Sequence, residues 1–180
     1  MSPMGAMFSK ARSFSQKSGN AQQSQAHTSA LYSSLQTFMT SKHTYFTYYD
    51  GSKNVRDFYK YTDCVKNDTS KVALLYVGTM ESSTWNQGNI WNQEHTWPQS
   101  KLSSKQAIGD IMQLRPEDPK ENSRRGNDAY GNSSGYYNPD SCGQNVQGDC
   151  ARSMLYMYVR YGEGNMWGKN GVMESRDVLL

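Results

Sequence analysis

The sequence predicts an α+β fold, a mostly helical domain around a small antiparallel sheet. Apolar residues recur at helical spacing in Leu31, Leu35, Phe38 and Met39, and again in Ala151, Met154, Leu155 and Tyr158. Short runs of strand formers, too brief for helices, lie between these stretches. Aromatic residues make up 12% of the chain, more than a disordered polymer carries, so a folded domain is expected.

Taken in order, residues 1–28 are mostly Ser, Gln, Ala, Gly and Lys without a period, and a disordered basic arm is expected there. The domain proper is expected over 29–180, opening with a helix over 29–41. Residues 53–62 fit neither period. Residues 71–77 form a short apolar run closed by Gly78, which predicts a strand, and a second extended segment is expected over 89–96. Residues 110–114 read as another strand. Asp118 is a good N-cap, Pro119 suits the first helical position, and Glu121 stands where it can reach back to the cap. Gly126 can end that helix in a left-handed turn, so a two-turn helix is predicted over 119–125. Residues 127–148 are a loop rich in Gly, Asn and Ser. A longer helix follows, capped by Asp149 and ended by Gly162. Residues 175–180 read as the start of a further helix, which predicts a domain truncated at its C-terminus.

Charge is a weak guide. The chain of 180 residues carries a net +3, but residues 1–60 hold seven Lys/Arg against two acids and the rest hold twelve against fourteen. The motif-bearing part is therefore slightly acidic, and nucleic-acid binding has to be argued from local geometry. No apolar run approaches the roughly 20 residues that cross a bilayer, so no membrane partner is expected. Residues 1–28 lack the apolar centre of a secretory signal. The three cysteines cannot form a closed disulfide set. Cys142 and Cys150 could pair and leave Cys64 free, or all three could be thiols. The absence of a Cys-x-x-Cys spacing argues against structural zinc. A monomer is expected.

Three histidines are candidates for proton transfer. His27 lies in the arm, and His43 follows a helix end, where an ordinary dipole contact explains it. His95 differs, because Glu94 precedes it and Trp91 and Trp97 flank it. Neighbouring residues on a strand face opposite ways, so a bend at the strand end is needed for Glu94 to face a metal while His95 faces a water. That division suits phosphodiester hydrolysis, in which an imidazole takes a proton and a cation stabilises developing charge. The second cluster is Asn122-Ser-Arg-Arg-Gly-Asn127. An amide oxygen of Asn122 is a hard ligand for Mg²⁺ or Ca²⁺, and Arg124 or Arg125 offers bidentate contact to phosphate. Lys101 and Lys105 could add phosphate contacts. Trp91 and Trp97 could stack on bases, although core packing is the plainer reading. Residues 67–69 and 132–134 match the glycosylation acceptor pattern, which matters only in a eukaryotic secretory host.

Three blocks, Glu94-His-Thr-Trp-Pro-Gln-Ser100, Asp110-Ile-Met-Gln-Leu-Arg-Pro116 and Asn122-Ser-Arg-Arg-Gly-Asn127, closely resemble the bacterial endonuclease I family, a branch of the His-Me finger (ββα-metal) nucleases. Gly148-Asp-Cys-Ala-Arg152 adds to the likeness. The resemblance implies a metal-binding core of strand, loop, strand and short helix. It implies His95 as general base, Glu94 and Asn122 as ligands of one Mg²⁺ (with Mn²⁺ or Ca²⁺ as substitutes), and Arg125 as a phosphate contact or a brace. It further implies non-specific cleavage of DNA, and often RNA, through the phosphate backbone to leave 5′-phosphates. Many members carry His or an aromatic where this chain has Met112, a position expected to support the fold. The low cysteine content is closer to the extracellular branch, so secretion is implied by resemblance alone. Two rivals remain: a catalytically inactive nucleic-acid-binding domain of the same fold, and an aromatic-rich carbohydrate-binding module.

Overall fold

The structure is a computed structural model that describes residues 21–48, 54–162 and 164–175. The chain divides into two compact units, Met1–Ser41 and Lys42–Leu180. In the first unit the described element is helix α1, Ala21–Ser41. It begins eight residues before the expected start at residue 29, so part of the predicted arm is helical. Ala and Gln are good helix formers even where no apolar period marks them. The rest of the arm, residues 1–20, lies outside the described residues, as do residues 176–180 of the further helix expected at the C-terminus. Among the described residues no helix is long and apolar enough to cross a membrane.

The second unit mixes short helices with two separate two-stranded antiparallel sheets, where one sheet was expected. The residues that fitted neither period form a 3₁₀ turn, Val55–Phe58, and the short helix α2, Tyr59–Thr62. Strand β1 (Lys71–Ala73) pairs with β2 (Met80–Ser82). The expected strand over 71–77 thus stops at Ala73. Leu74, Leu75 and Tyr76 are still buried, but in a turn closed by a bond from Gly78 N–H to Leu74 O at 2.9 Å. Gly78 has φ +70°, and a Cβ there would meet the Gln144 side chain at 2.3 Å, so the turn needs glycine. An apolar run shows burial, and here burial did not mean strand.

Strand β3 (Asn92–His95) pairs with β4 (Leu114–Glu117), with Glu94 opposite Arg115 and His95 opposite Leu114. Between them lies the one-turn helix α3, Lys105–Ile108, capped by the Ser104 hydroxyl. The strand expected over 110–114 begins four residues later. Asp110 Oδ1 accepts from Met112 N–H at 2.9 Å, a side-chain turn that holds residues 110–113 out of the ladder. Met112 is 51% exposed, so it does not support the core as expected.

Helix α4, Pro119–Arg125, follows β4 with the predicted bounds. Asp118 Oδ1 accepts from Lys120 and Glu121 N–H, both at 2.9 Å, a cap worth about 1 kcal/mol. Glu121 does not reach back to it; its carboxylate pairs with Arg124. Gly126 ends the helix at φ +55°. Helix α5, Gln147–Tyr161, starts before Asp149, which pairs with Arg152 instead of capping. Asp140 Oδ1 does the capping from outside, accepting from Val146 and Gln147 N–H at 2.7 and 2.9 Å. The buried face of α5 runs through Cys150, Ala151, Met154 and Met157, while Tyr158 of the predicted stripe is exposed. Gly162 closes α5 in the left-handed region. All three cysteines are free thiols. One core cluster, of Val55, Tyr59, Val72, Leu74, Trp91 and Leu114, lies behind the β3–β4 pair.

Candidate active site

Strand β3, helix α4 and the segments beside them line a cleft of about 610 Å³, with Asn92, Glu94, His95, Asn122, Arg125 and Asn127 in its wall. Glu94 and Asn92 are two apart on one strand and share a face. His95 is the last residue of β3, where regular alternation ends, and both it and Glu94 line the cleft. The structure thus brings together the three residues singled out as base and metal ligands.

His95 is 7% exposed, its ring edge-on to Tyr48 at 4.6 Å between centroids. Its Nε2 lies 3.1 Å from the Ile108 carbonyl oxygen. That oxygen only accepts, so Nε2 carries the proton and Nδ1 keeps the lone pair. Burial lowers the imidazole pKa to about 4; the Ile108 bond opposes this, and the nearby Arg125 charge adds to it. The ring is therefore a neutral base at any ordinary pH.

Glu94 is 2% exposed. Its Oε1 accepts from Tyr76 O–H at 2.5 Å and faces Arg125 Nη1 at 3.3 Å. Tyr76 in turn meets the Tyr130 hydroxyl at 2.6 Å. Burial raises the Glu94 carboxyl, opposed by Arg125, Tyr76 and the His95 N–H. Asn122 Nδ2 donates to Asn92 Oδ1 at 2.7 Å, which fixes the amide and leaves its oxygen without a hydrogen bond among the described residues. A carboxylate and an amide oxygen in one cleft fit a hard divalent cation that keeps several waters. Among the described residues no three His, Cys, Asp or Glu side chains form a denser cage.

Of the four cations expected at a phosphate, Lys105 is not in the cleft wall and the other three are engaged by the protein itself. Arg125 is 1% exposed, donates to the His95 and Thr96 carbonyls at 2.8 and 2.7 Å, and lies over the Tyr130 ring at 4.7 Å. It braces the end of β3 and is not a free phosphate clamp. Arg124 is exposed and engages Glu121 and Ser141 outside the cleft. Lys101 donates to the Gly171 carbonyl and is absent from the cleft wall. Trp91 and Trp97 are both 1% exposed and are core residues. The tryptophan in the cleft wall is Trp85.

Sequence reasoning missed Tyr76, Tyr130 and Asn92. Asn92 was readable, two residues before Glu94 on a strand. The tyrosines come from distant loops and leave no local signal.

Glu117, opposite Asn92, is fully buried. Its Oε2 accepts from Tyr76 N–H at 2.6 Å, and its Oε1 has no partner among the described residues. Burial, helped by the charges of Glu94 and Glu121 and opposed by the Tyr76 and Asp118 N–H groups, raises this carboxyl from 4.5 to about 7. A raised carboxyl contributes stability that is complete below its unfolded value and is lost as pH rises through the folded one. The loss amounts to about 3 kcal/mol. Glu117→Gln is expected to melt higher than wild type at about pH 8 and to flatten the fall in Tm from about pH 5. Thermal melts across that window test this; a wild-type Tm flat over the window rejects it.

Comparison with known proteins gives a relative and a family. An extracellular ribonuclease of Bacillus subtilis (strain 168) is 34% identical over 136 residues, which cover 67% of this chain and 46% of that protein. The chain thus spans about half the length of this curated relative. No solved structure matches it. The family model described as Endonuclease I matches residues 13–175, which include every element of the cleft, and the chain belongs to the endonuclease I family.

Proposed function

We propose that this chain is a metal-dependent, non-specific endonuclease that hydrolyses phosphodiester bonds in DNA and RNA and leaves 5′-phosphate ends. The observation that carries this reading is the orientation of His95, with Nε2–H fixed on Ile108 O and Nδ1 left with the lone pair, on a ring that lines one cleft with Glu94 and Asn122. The antiparallel β3–β4 pair followed by α4 serves as the ββα-metal core. RNA as a substrate is supported by the relative named an extracellular ribonuclease.

His95 Nδ1 takes the proton of a water whose oxygen attacks phosphorus. The bond from phosphorus to the 3′ oxygen breaks, and the new phosphate stays on the 5′ side. Glu94 and Asn122 would hold a Mg²⁺, which would supply positive charge to the phosphate and the leaving oxygen. The cleft supports this assignment. Its other polar side chains are mostly neutral amides, while Arg124 and Lys101 are engaged elsewhere and Arg125 is committed to carbonyls. A phosphodiester approaching the Glu94 carboxylate therefore needs a cation from solution. Arg125 keeps the end of β3 in place, and the backbone is gripped without reading bases.

Plasmid nicking by the purified chain is the test. Conversion of supercoiled to open circular DNA is expected with Mg²⁺ and not with EDTA, and the new ends should take label from a kinase only after phosphatase treatment. Nicking that persists in EDTA, or none by a folded chain with Mg²⁺, rejects the proposal.

A further inference from the structure

Asp110 lies outside the cleft and is fully buried, yet no Lys or Arg is paired with it among the described residues. Its Oδ1 accepts from Met112 N–H at 2.9 Å. Its Oδ2 accepts from the hydroxyls of Tyr156 and Tyr161, both on α5, at 2.9 and 2.7 Å. His43 Nε2 stands 3.7 Å from the same oxygen. Burying a carboxylate is costly unless donors surround it, and three hydrogen-bond donors from two segments converge here, with His43 beside them.

The position of Asp110 explains what they hold. Two residues earlier is Ile108, the end of the one-turn helix α3, whose carbonyl has no helical partner and accepts from His95 Nε2–H. Gly109 lies between them. A Cβ at Gly109 would come within 2.5 Å of the Phe46 carbonyl, so only glycine fits. Glycine packs no side chain and gives the turn freedom to swing. The anchor has to come from the next residue. A second tie runs parallel: Gln113, fully buried, donates to Ala107 O at 3.0 Å and accepts from Trp97 N–H at 3.2 Å, linking the same turn to the chain just past His95.

We infer that Asp110, gripped by Tyr156 and Tyr161, is a positioning residue for the His95 base: it fixes the turn that presents the Ile108 carbonyl to Nε2. The inference rests on the nuclease reading above. Helix α5 thus orients the base without touching it, by holding the carbonyl that selects its tautomer. Loss of that carbonyl lets the proton move to Nδ1 and removes the lone pair that should face water. The effect falls on turnover, because Glu94 and Asn122 and the walls that meet the substrate stay in place.

Asp110→Ala strips three donors of their acceptor and endangers the fold. Tyr156→Phe with Tyr161→Phe removes both donors and keeps the packing. In the double variant kcat is expected to fall roughly 10-fold or more, with KM within about 2-fold of wild type. Imidazole ¹⁵N spectra of His95 should show a single Nε2–H tautomer in wild type and a mixture in the variant. Restoring Tyr161 alone should recover part of both effects. A double variant that melts lower yet keeps wild-type kcat and a single tautomer overturns the inference and leaves a structural role for the cluster. A wild type that does not cut rejects the nuclease reading, while the spectra still decide whether Asp110 sets the tautomer.

Discussion

Replacing His95 with Ala is expected to lower the rate of plasmid nicking by roughly 10²–10⁴-fold while Mg²⁺ affinity and folding are retained. The group removed is the one imidazole in the cleft wall among the described residues. The proposed metal ligands remain, and Tyr76 and Arg125 still hold Glu94. The ring is buried but lines the cleft, so water from the cleft can fill the space it leaves and meet the Ile108 carbonyl, and the chain should still fold. Burial also moves the expected pH profile. An unperturbed histidine would switch activity near pH ~6.5, whereas a pKa of about 4 places the acid limb well below that. Such a base is weak, and its advantage is that nearly every molecule carries it in the neutral form. Metal titration by calorimetry and single-turnover cleavage of a labelled duplex separate the two roles. Wild-type cleavage by the variant removes His95 from the mechanism. Loss of metal binding together with cleavage would instead make His95 a ligand.

The sequence was most legible where a local rule has one physical cause. Asp118, Pro119 and Gly126 bounded helix α4 because capping, a missing N–H and positive φ are properties of single residues. His95, Glu94 and Asn122 could be picked out by chemistry, and the structure gathers them in one cleft. Legibility failed where a distant group decided the outcome. The run at 71–77 looked like a strand because burial favours the same residues in a turn that docks on β4, where Leu75 N–H bonds Pro116 O at 3.1 Å. Asp149 looked like a cap, but Asp140 reached the N-terminus of α5 first. Arg125 read equally well as clamp or brace, because its choice depends on carbonyls and a tyrosine ring that no spacing reveals. His43 looked incidental because nothing in the chain signals that Asp110 lies beside it.

Arg125→Ala is expected to destabilise the protein by about 3–5 kcal/mol, the largest loss of any single substitution considered for this site. Three terms act together. The Glu94 carboxylate, itself buried, loses its one charged partner among the described residues, at 3.3 Å. The carbonyls of His95 and Thr96 lose the fork that satisfies them at 2.8 and 2.7 Å. The face of Tyr130 loses the cation over it, leaving a void beside the Tyr76–Tyr130 pair. The pH dependence gives the charge term away. Glu94 already has a raised pKa, because burial outweighs Arg125. Without Arg125 the folded pKa rises further, so stability is retained while the carboxyl is protonated and lost as pH rises through the new value. The destabilisation should therefore be smaller in acid than at neutral pH, and Glu94→Gln in the same chain should relieve the difference. Arg125→Lys keeps the charge but not the planar fork, and is expected to fall between wild type and alanine. Urea melts of the four proteins at two pH values measure all of this. A loss that is equal at both pH values would assign the effect to the orphaned carbonyls and the void, and would remove the ion pair with Glu94 as the reason Arg125 is buried beneath the cleft.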